Sequence, residues 1–126
     1  MAITPPLISI VDDDVSVREA AKGLMKSLGY NAAAFASAED FLRSQQVQRT
    51  ACLIADFNMS GMSGLDLYRE LCGSGTAIPT ILITAFPDES IRESALDAGI
   101  ACYLVKPFDE SELLSCVKTA LPSGPH

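Results

Sequence analysis

The stretch ACLIADFNMSGMSGL, residues 51–65, decides how the chain is read. Cys52 to Ala55 are apolar or small and have the length of a short buried strand. Asp56 follows at once, a carboxylate where the strand should end. Gly61, Ser63 and Gly64 then supply loop chemistry, and Leu65, Leu67, Tyr68 and Leu71 the apolar residues of a helix. An Asp in that place sits at the carboxyl edge of a sheet, where open α/β sheets bind ligands. An Asp that merely starts a turn is the ordinary alternative, so the flanking sequence has to decide.

Towards the N-terminus, Leu7 to Val11 is an apolar run of strand length that ends in Asp12, Asp13 and Asp14. Val17, Ala20, Ala21, Leu24 and Leu28 follow at the spacing of one buried helix face, which Gly29 stops. Asn31 to Phe35 suits a weak second strand. Ser37, Glu39 and Asp40 read as a cap with acids in the first turn of a short helix running to about Gln46.

Towards the C-terminus, the helix after Asp56 runs from Ser63 to about Cys72 and is broken by Gly73, Ser74 and Gly75. Ile78 to Thr84 reads as a fourth strand, with Pro79 near its start. Pro87, Asp88 and Glu89 open a fourth helix whose face is Ile91, Ala95 and Ala98, ended by Gly99. Ile100 to Val105 is a fifth strand. Asp109 to Glu112 cap a fifth helix with a buried face of Leu113, Val117 and Leu121, ended by Pro122.

Apolar strands alternating with helices predict a parallel sheet covered on both faces. Five such units are too few for an eight-fold barrel. The expected class is α/β: a single doubly wound, five-stranded parallel sheet in the flavodoxin-like order 2-1-3-4-5. Residues 1–121 read as one domain and residues 122–126 as a flexible C-terminal tail.

Composition removes several functions. A net charge of −7 leaves no basic surface for nucleic-acid phosphates. No apolar run is long enough for a membrane span, and the N-terminus lacks the form of a secretory signal, so a cytoplasmic protein is expected. Cys52, Cys72, Cys102 and Cys116 show no C-x-x-C spacing and read as buried free thiols rather than a zinc site or disulfides. The only histidine, His126, reads as a tail residue rather than a catalyst.

The order 2-1-3-4-5 brings distant residues together. Strand 1 delivers Asp12 and Asp13 to the carboxyl edge, strand 3 Asp56, strand 4 Thr84, and strand 5 Lys106. Carboxylates so close need a cation, a lysine or a raised pKa to coexist. Their oxygens suit Mg²⁺, which keeps water and phosphate oxygens as further ligands. Lys106 adds a point charge and Thr84 a hydroxyl. This is a constellation for phosphoryl transfer, with a carboxylate as nucleophile. Each residue taken singly has an ordinary reading: helix-start acids, a surface lysine, a strand-end threonine. All of them together at the ends of four strands is much harder to reach by chance.

With Val11-Asp12-Asp13, Asp56 followed by Asn58-Met59 and Gly64, Thr84-Ala85 and Lys106-Pro107-Phe108 in order, the chain resembles the receiver domain of two-component response regulators over residues 7–121. Asp13 to Arg18 and Ser37 to Leu42 resemble receivers of the FixJ type, which are often followed by a helix-turn-helix DNA-binding domain. The resemblance implies that Asp56 is the phosphoacceptor. It implies that Asp13 is a direct metal ligand, Asp12 one mainly through water, and the main-chain carbonyl of Asn58 a further ligand. Thr84 and Lys106 match the phosphoryl-binding hydroxyl and ammonium, and Ala85 the small residue that leaves room for the phosphoryl group. Tyr103 matches the aromatic switch, with a half-buried strand tyrosine packed on the fourth helix as its plain alternative. It also implies a cis Lys106-Pro107 bond. Ser60 and Ser63 depart from the family pattern, where proline and an acid or amide are usual.

The expected function is a signalling switch rather than a conventional enzyme. A histidine kinase or phosphotransfer protein donates a phosphoryl group to Asp56, and the surface of helix 4, strand 5 and helix 5 changes, giving a homodimer. The output is transcriptional if a DNA-binding domain follows, or a phosphorelay step if the receiver stands alone. A haloacid-dehalogenase-type phosphatase would want a second Asp two residues after the nucleophile, where Asn58 stands. A flavodoxin-like binding module would set three acids against a flavin phosphate.

Overall fold

The computed structural model describes residues 5–121. Its elements are β1 (Leu7–Val11), α1 (Val15–Ser27), β2 (Asn31–Phe35), α2 (Ala38–Arg43), β3 (Thr50–Asp56), α3 (Gly64–Gly73), β4 (Thr80–Thr84), α4 (Glu89–Ala98), β5 (Cys102–Val105) and α5 (Glu110–Ala120). The strands pair in parallel in the order β2-β1-β3-β4-β5, the arrangement expected from the alternation of elements. The expected tail, with His126, lies outside the described residues.

The period-two alternation of the strands sorts the core into two layers. Ile8, Ile10, Cys52, Ile54, Ile81, Ile83 and Leu104 face one side and pack with Ala21 and Met25 of α1 and with Leu113 and Val117 of α5. Val11, Leu53 and Ala55 face the other side and pack on Phe41 of α2 and on Leu67 and Leu71 of α3. Leu82 joins Leu65, Tyr68 and Ala95 there, beneath α3 and α4. Each of these fully buried large side chains contributes about 1.5–3 kcal/mol.

Several sequence expectations are corrected. The buried face of α1 turns on Ala21 and Met25, while Ala20 and Leu28 are exposed. The helix ends at Ser27, and Leu28 lies beyond the last turn that packs on the sheet. On α4 only Ala95 is buried and Ala98 is exposed, because the short helix meets the sheet by one turn. On α5, Cys116 and Ala120 complete the face, and Leu121 is half-buried beyond the helix end. β3 is longer than Cys52–Ala55 and ends on Asp56 itself. β4 and β5 begin two residues later than expected, at Thr80 and Cys102. α2 stops at Arg43, followed by a 3-10 turn at Val47–Arg49.

The cysteines do not all remain free buried thiols. Cys102 of β5 and Cys116 of α5 form a disulfide with Cα atoms 5.9 Å apart, and Cys72 is exposed. Cys52 keeps the expected reading, and its burial pushes the thiol pKa up to about 12. The pairing joins residues 14 apart that only the packing of α5 on β5 brings together.

Candidate functional site

The strand alternation that builds the core also builds the site. Asp12 continues the series Ile8, Ile10; Asp56 continues Cys52, Ile54; Lys106 continues Cys102, Leu104. The ladder persists to these residues. Asp12 N–H donates to the Phe35 carbonyl at 3.2 Å, and Lys106 N–H to the Thr84 carbonyl at 2.8 Å. Three residues from three strands therefore share one side of the sheet at its carboxyl edge.

There the Lys106 ammonium donates to Oδ2 of Asp12 at 3.2 Å and to Oδ2 of Asp56 at 3.4 Å. Asp12 and Asp56 are buried, at 2% and 3% exposure, so Lys106 neutralises charge that water cannot. The other oxygen of each carboxylate takes a backbone N–H, Asp14 to Asp12 at 2.8 Å and Asn58 to Asp56 at 3.0 Å. Burial, reinforced by the neighbouring Asp56 charge, pushes the Asp12 pKa up despite the Asp14 bond and Lys106. For Lys106, burial pulls the other way, but the two carboxylates and their hydrogen bonds outweigh it, and the ammonium pKa is raised. The lysine is therefore held in its charged form.

Asp13 completes the cluster from the solvent side: one oxygen from each of Asp12, Asp13 and Asp56 lies within 4.8 Å of the others. An all-oxygen donor set, two members buried and one exposed, fits a hard divalent cation such as Mg²⁺ that retains water ligands.

Two local devices hold the surrounding loops. Gly64 starts α3 so close to β3 that a Cβ would meet the Asp56 carbonyl oxygen at 2.7 Å and Leu82 Cδ1 at 2.8 Å. Any side chain there would push the helix off the strand that carries Asp56. Asp14 caps α1, and Arg18 donates to the Asp12 carbonyl at 2.7 Å, which fixes the loop after β1.

Thr84 ends β4 and Ala85 follows it. The Thr84 hydroxyl donates to Asn58 Oδ1 at 2.7 Å, and Ala85 N–H points to the same oxygen at 3.3 Å. Tyr103 stands apart from the acids. It is half-buried against the cluster beneath α4, and its hydroxyl accepts from Asp88 N–H, at the N-cap of α4, at 3.4 Å. The Lys106–Pro107 bond is cis.

The structure thus brings Asp12, Asp13, Asp56 and Lys106 into one cluster, with Thr84 and Ala85 linked to it through Asn58. Sequence reasoning missed three supporting groups: Arg18, the side chain of Asn58, and Glu39. Glu39 accepts from Met62 N–H at 3.3 Å and so ties α2 to the loop after Asp56. A partial signal was present, because Ser60 and Gly61 leave that loop in need of an anchor.

A doubly wound α/β domain with a lysine-bridged acidic pocket at its sheet edge defines a class of phosphoacceptor modules. Comparisons with known proteins agree. The family model described as the response regulator receiver domain matches residues 8–118, and the chain belongs to that family. It is 40% identical over 119 residues to the response regulator protein TmoT of Ectopseudomonas mendocina, covering 94% of this chain and 54% of that protein. The solved structure of response regulator StyR superposes with a TM-score of 0.86 at 36% identity, covering 94% of this chain and 60% of that one. The crystal structure of FixJ-N gives 0.84 at 30% identity, covering 94% of both chains. The chain spans about half the length of the curated relatives it matches. Receivers are phosphoacceptor signalling modules rather than conventional enzymes. The haloacid dehalogenase and flavodoxin alternatives are set aside on this ground. Among the described residues no helix is long and apolar enough to cross a membrane.

Proposed function

We propose that Asp56 is the phosphoacceptor of a signalling switch. The observation that carries this is the Lys106 bridge, which aims one ammonium at a buried Asp56 carboxylate beside two further acids. An Asp56 oxygen forms the new bond to phosphorus as the bond from phosphorus to the donor nitrogen of a histidine kinase or phosphotransfer protein breaks. Asp12, Asp13, Asp56 and the main-chain carbonyl of Asn58 would hold Mg²⁺. When bound, the metal offsets the charge of the acids and of the incoming phosphoryl oxygens. Lys106 turns from the carboxylate to a phosphoryl oxygen, and the Thr84 hydroxyl takes another. Ala85 leaves space for the group.

The acyl phosphate carries a charge of about −1.5 to −2 where the carboxylate carried a single one, and this added charge with three strong acceptor oxygens drives the switch. Thr84 moves toward Asp56, and Tyr103 follows into the space beside β4, giving up its bond to Asp88 N–H at the start of α4. The α4-β5-α5 surface changes with it, and a second copy of that surface is its reader, giving a symmetric dimer. A differential binding of a few kcal/mol is enough to change which state dominates. Residues 1–121 form the receiver. Its setting is the cytoplasm, with a transcriptional output when a DNA-binding domain is joined to it. A phosphorelay role is the reading for a receiver acting alone. Similarity to FixJ-N and to relatives named as transcriptional regulators supports the first.

The test is intact mass after incubation with acetyl phosphate and Mg²⁺. The parent should gain one phosphoryl group, and Asp56→Asn should gain none. An undiminished adduct on the variant would move the acceptor elsewhere.

A further inference from the structure

We propose that the side chain of Asn58 is a built-in competitor for the phosphoryl group, a positioning residue that holds the Thr84 hydroxyl until the phosphoryl oxygen displaces it. This rests on the reading of Asp56 and Thr84 given above and adds a determinant of how readily the site is occupied.

The carboxamide oxygen of Asn58 receives two donors from the end of β4, the Thr84 hydroxyl at 2.7 Å and Ala85 N–H at 3.3 Å. A backbone N–H can only donate, so the atom facing it is the oxygen and not the amide nitrogen. The hydroxyl must then donate to that oxygen as well. Thr84 Oγ1 also accepts from Phe86 N–H at 3.0 Å, and of the two acceptors within reach of its single proton, Asn58 Oδ1 at 2.7 Å and the Phe86 carbonyl at 3.3 Å, Asn58 is much the nearer. One acceptor oxygen from the side chain of Asn58 therefore occupies the hydroxyl that a phosphoryl oxygen on Asp56 needs. Asn58 begins two residues after Asp56, with its own N–H on Asp56 Oδ1, so latch and acceptor share one turn of chain.

The chemistry makes the latch weak enough to open. A neutral amide oxygen is a poorer acceptor than a phosphoryl oxygen carrying charge. Asn58 is exposed, so its side chain can turn into water and recover hydrogen bonds there. Thr84 is 1% exposed and has no such freedom. The competition for this one buried hydroxyl is thus between a phosphoryl oxygen and the nearer of its two protein acceptors, Asn58 Oδ1, and it sets the threshold of the switch without blocking it.

The probe is beryllofluoride with Mg²⁺, titrated into the parent, Asn58→Leu and Asn58→Ala, each alone and with Thr84→Ala, and followed by fluorine NMR. Loss of the acceptor should tighten beryllofluoride binding about tenfold. In the Thr84→Ala background the same substitutions should change it by about twofold or less, since Asn58 acts through that hydroxyl. Without any ligand, the Thr84 methyl resonance in Asn58→Ala should shift toward its position in the beryllofluoride-bound parent, which a merely structural role would not produce. Weaker or unchanged binding in both Asn58 variants, with normal binding by the parent, overturns the latch and leaves the phosphoacceptor reading standing. A parent that takes no beryllofluoride overturns that reading, and the latch with it.

Discussion

The ammonium of Lys106 lies 3.2 Å from Oδ2 of Asp12, joining residues 94 positions apart in the chain. The same ammonium reaches Asp56 at 3.4 Å, so one side chain from β5 ties together the ends of β1 and β3. Its function in the free protein is to make two buried carboxylates tolerable.

Removing that charge should therefore cost stability before any phosphoryl group is involved. Lys106→Met in metal-free buffer leaves Asp12 and Asp56 buried without a cation, and a loss of about 1–3 kcal/mol is expected. Urea denaturation of parent and variant measures it. Added Mg²⁺ should restore part of the loss, because the carboxylates then have another cation. A variant as stable as the parent without metal would mean that the bridge does not carry this charge.

Asp13 is predicted to behave in the opposite way. It is the exposed member of the cluster and has no lysine bond, so it adds repulsion that solvent screens. Asp13→Asn should raise metal-free stability by about 0.5 kcal/mol or less and weaken Mg²⁺ binding. Denaturation with and without the metal separates the two effects. A metal-free variant less stable than the parent would show that the acids do not repel.

The α5 cap supplies a pH prediction. The Asp109 carboxylate accepts Glu112 N–H in a reciprocal capping box, and this bond, with the Ser111 hydroxyl, lowers its pKa. A folded-state pKa below the unfolded one gives stability that is present above the ordinary carboxylate range. It is lost as pH falls through the depressed folded value. Asp109→Asn keeps an acceptor at the cap but cannot titrate, so stability should fall less steeply with acid than in the parent. Denaturation midpoints across the acid range test this, and equal slopes would contradict it.

Thr84 and Tyr103 carry the prediction for output. Light scattering with beryllofluoride and Mg²⁺ should report a dimer in the parent and a much smaller fraction of dimer in Thr84→Ala. If the variant dimerises as readily, the path from Thr84 to Tyr103 is wrong. If neither dimerises although the mimic binds, the reader of the surface is another protein.

Most of this was legible in the sequence because it depends on local pattern. Apolar runs marked the strands, and Asp12, Asp56 and Lys106 could be placed at one edge as soon as the strand order was inferred. Ser37 and Asp109 cap helices where the turn chemistry indicated, and Asp14, Ser63 and Asp88, which the sequence placed only near helix starts, are N-caps as well. What escaped was set by packing between elements. Met25 displaced Leu28 from the core because α1 ends a residue short of it. Cys102 and Cys116 meet only because α5 lies on β5. The resemblance to receivers implied a main-chain metal ligand at Asn58. Nothing local to it indicated that its side chain would reach Thr84, 26 residues on.

The central claim is that Asp56, and not the more exposed Asp13, takes the phosphoryl group. Borohydride reduction of the phosphorylated protein, followed by peptide mapping, converts the acyl phosphate to a stable mark at its own residue. The account predicts the mark at Asp56, and its loss in Lys106→Met under the same exposure to donor. A mark at Asp13 or Asp12 in the parent would contradict it.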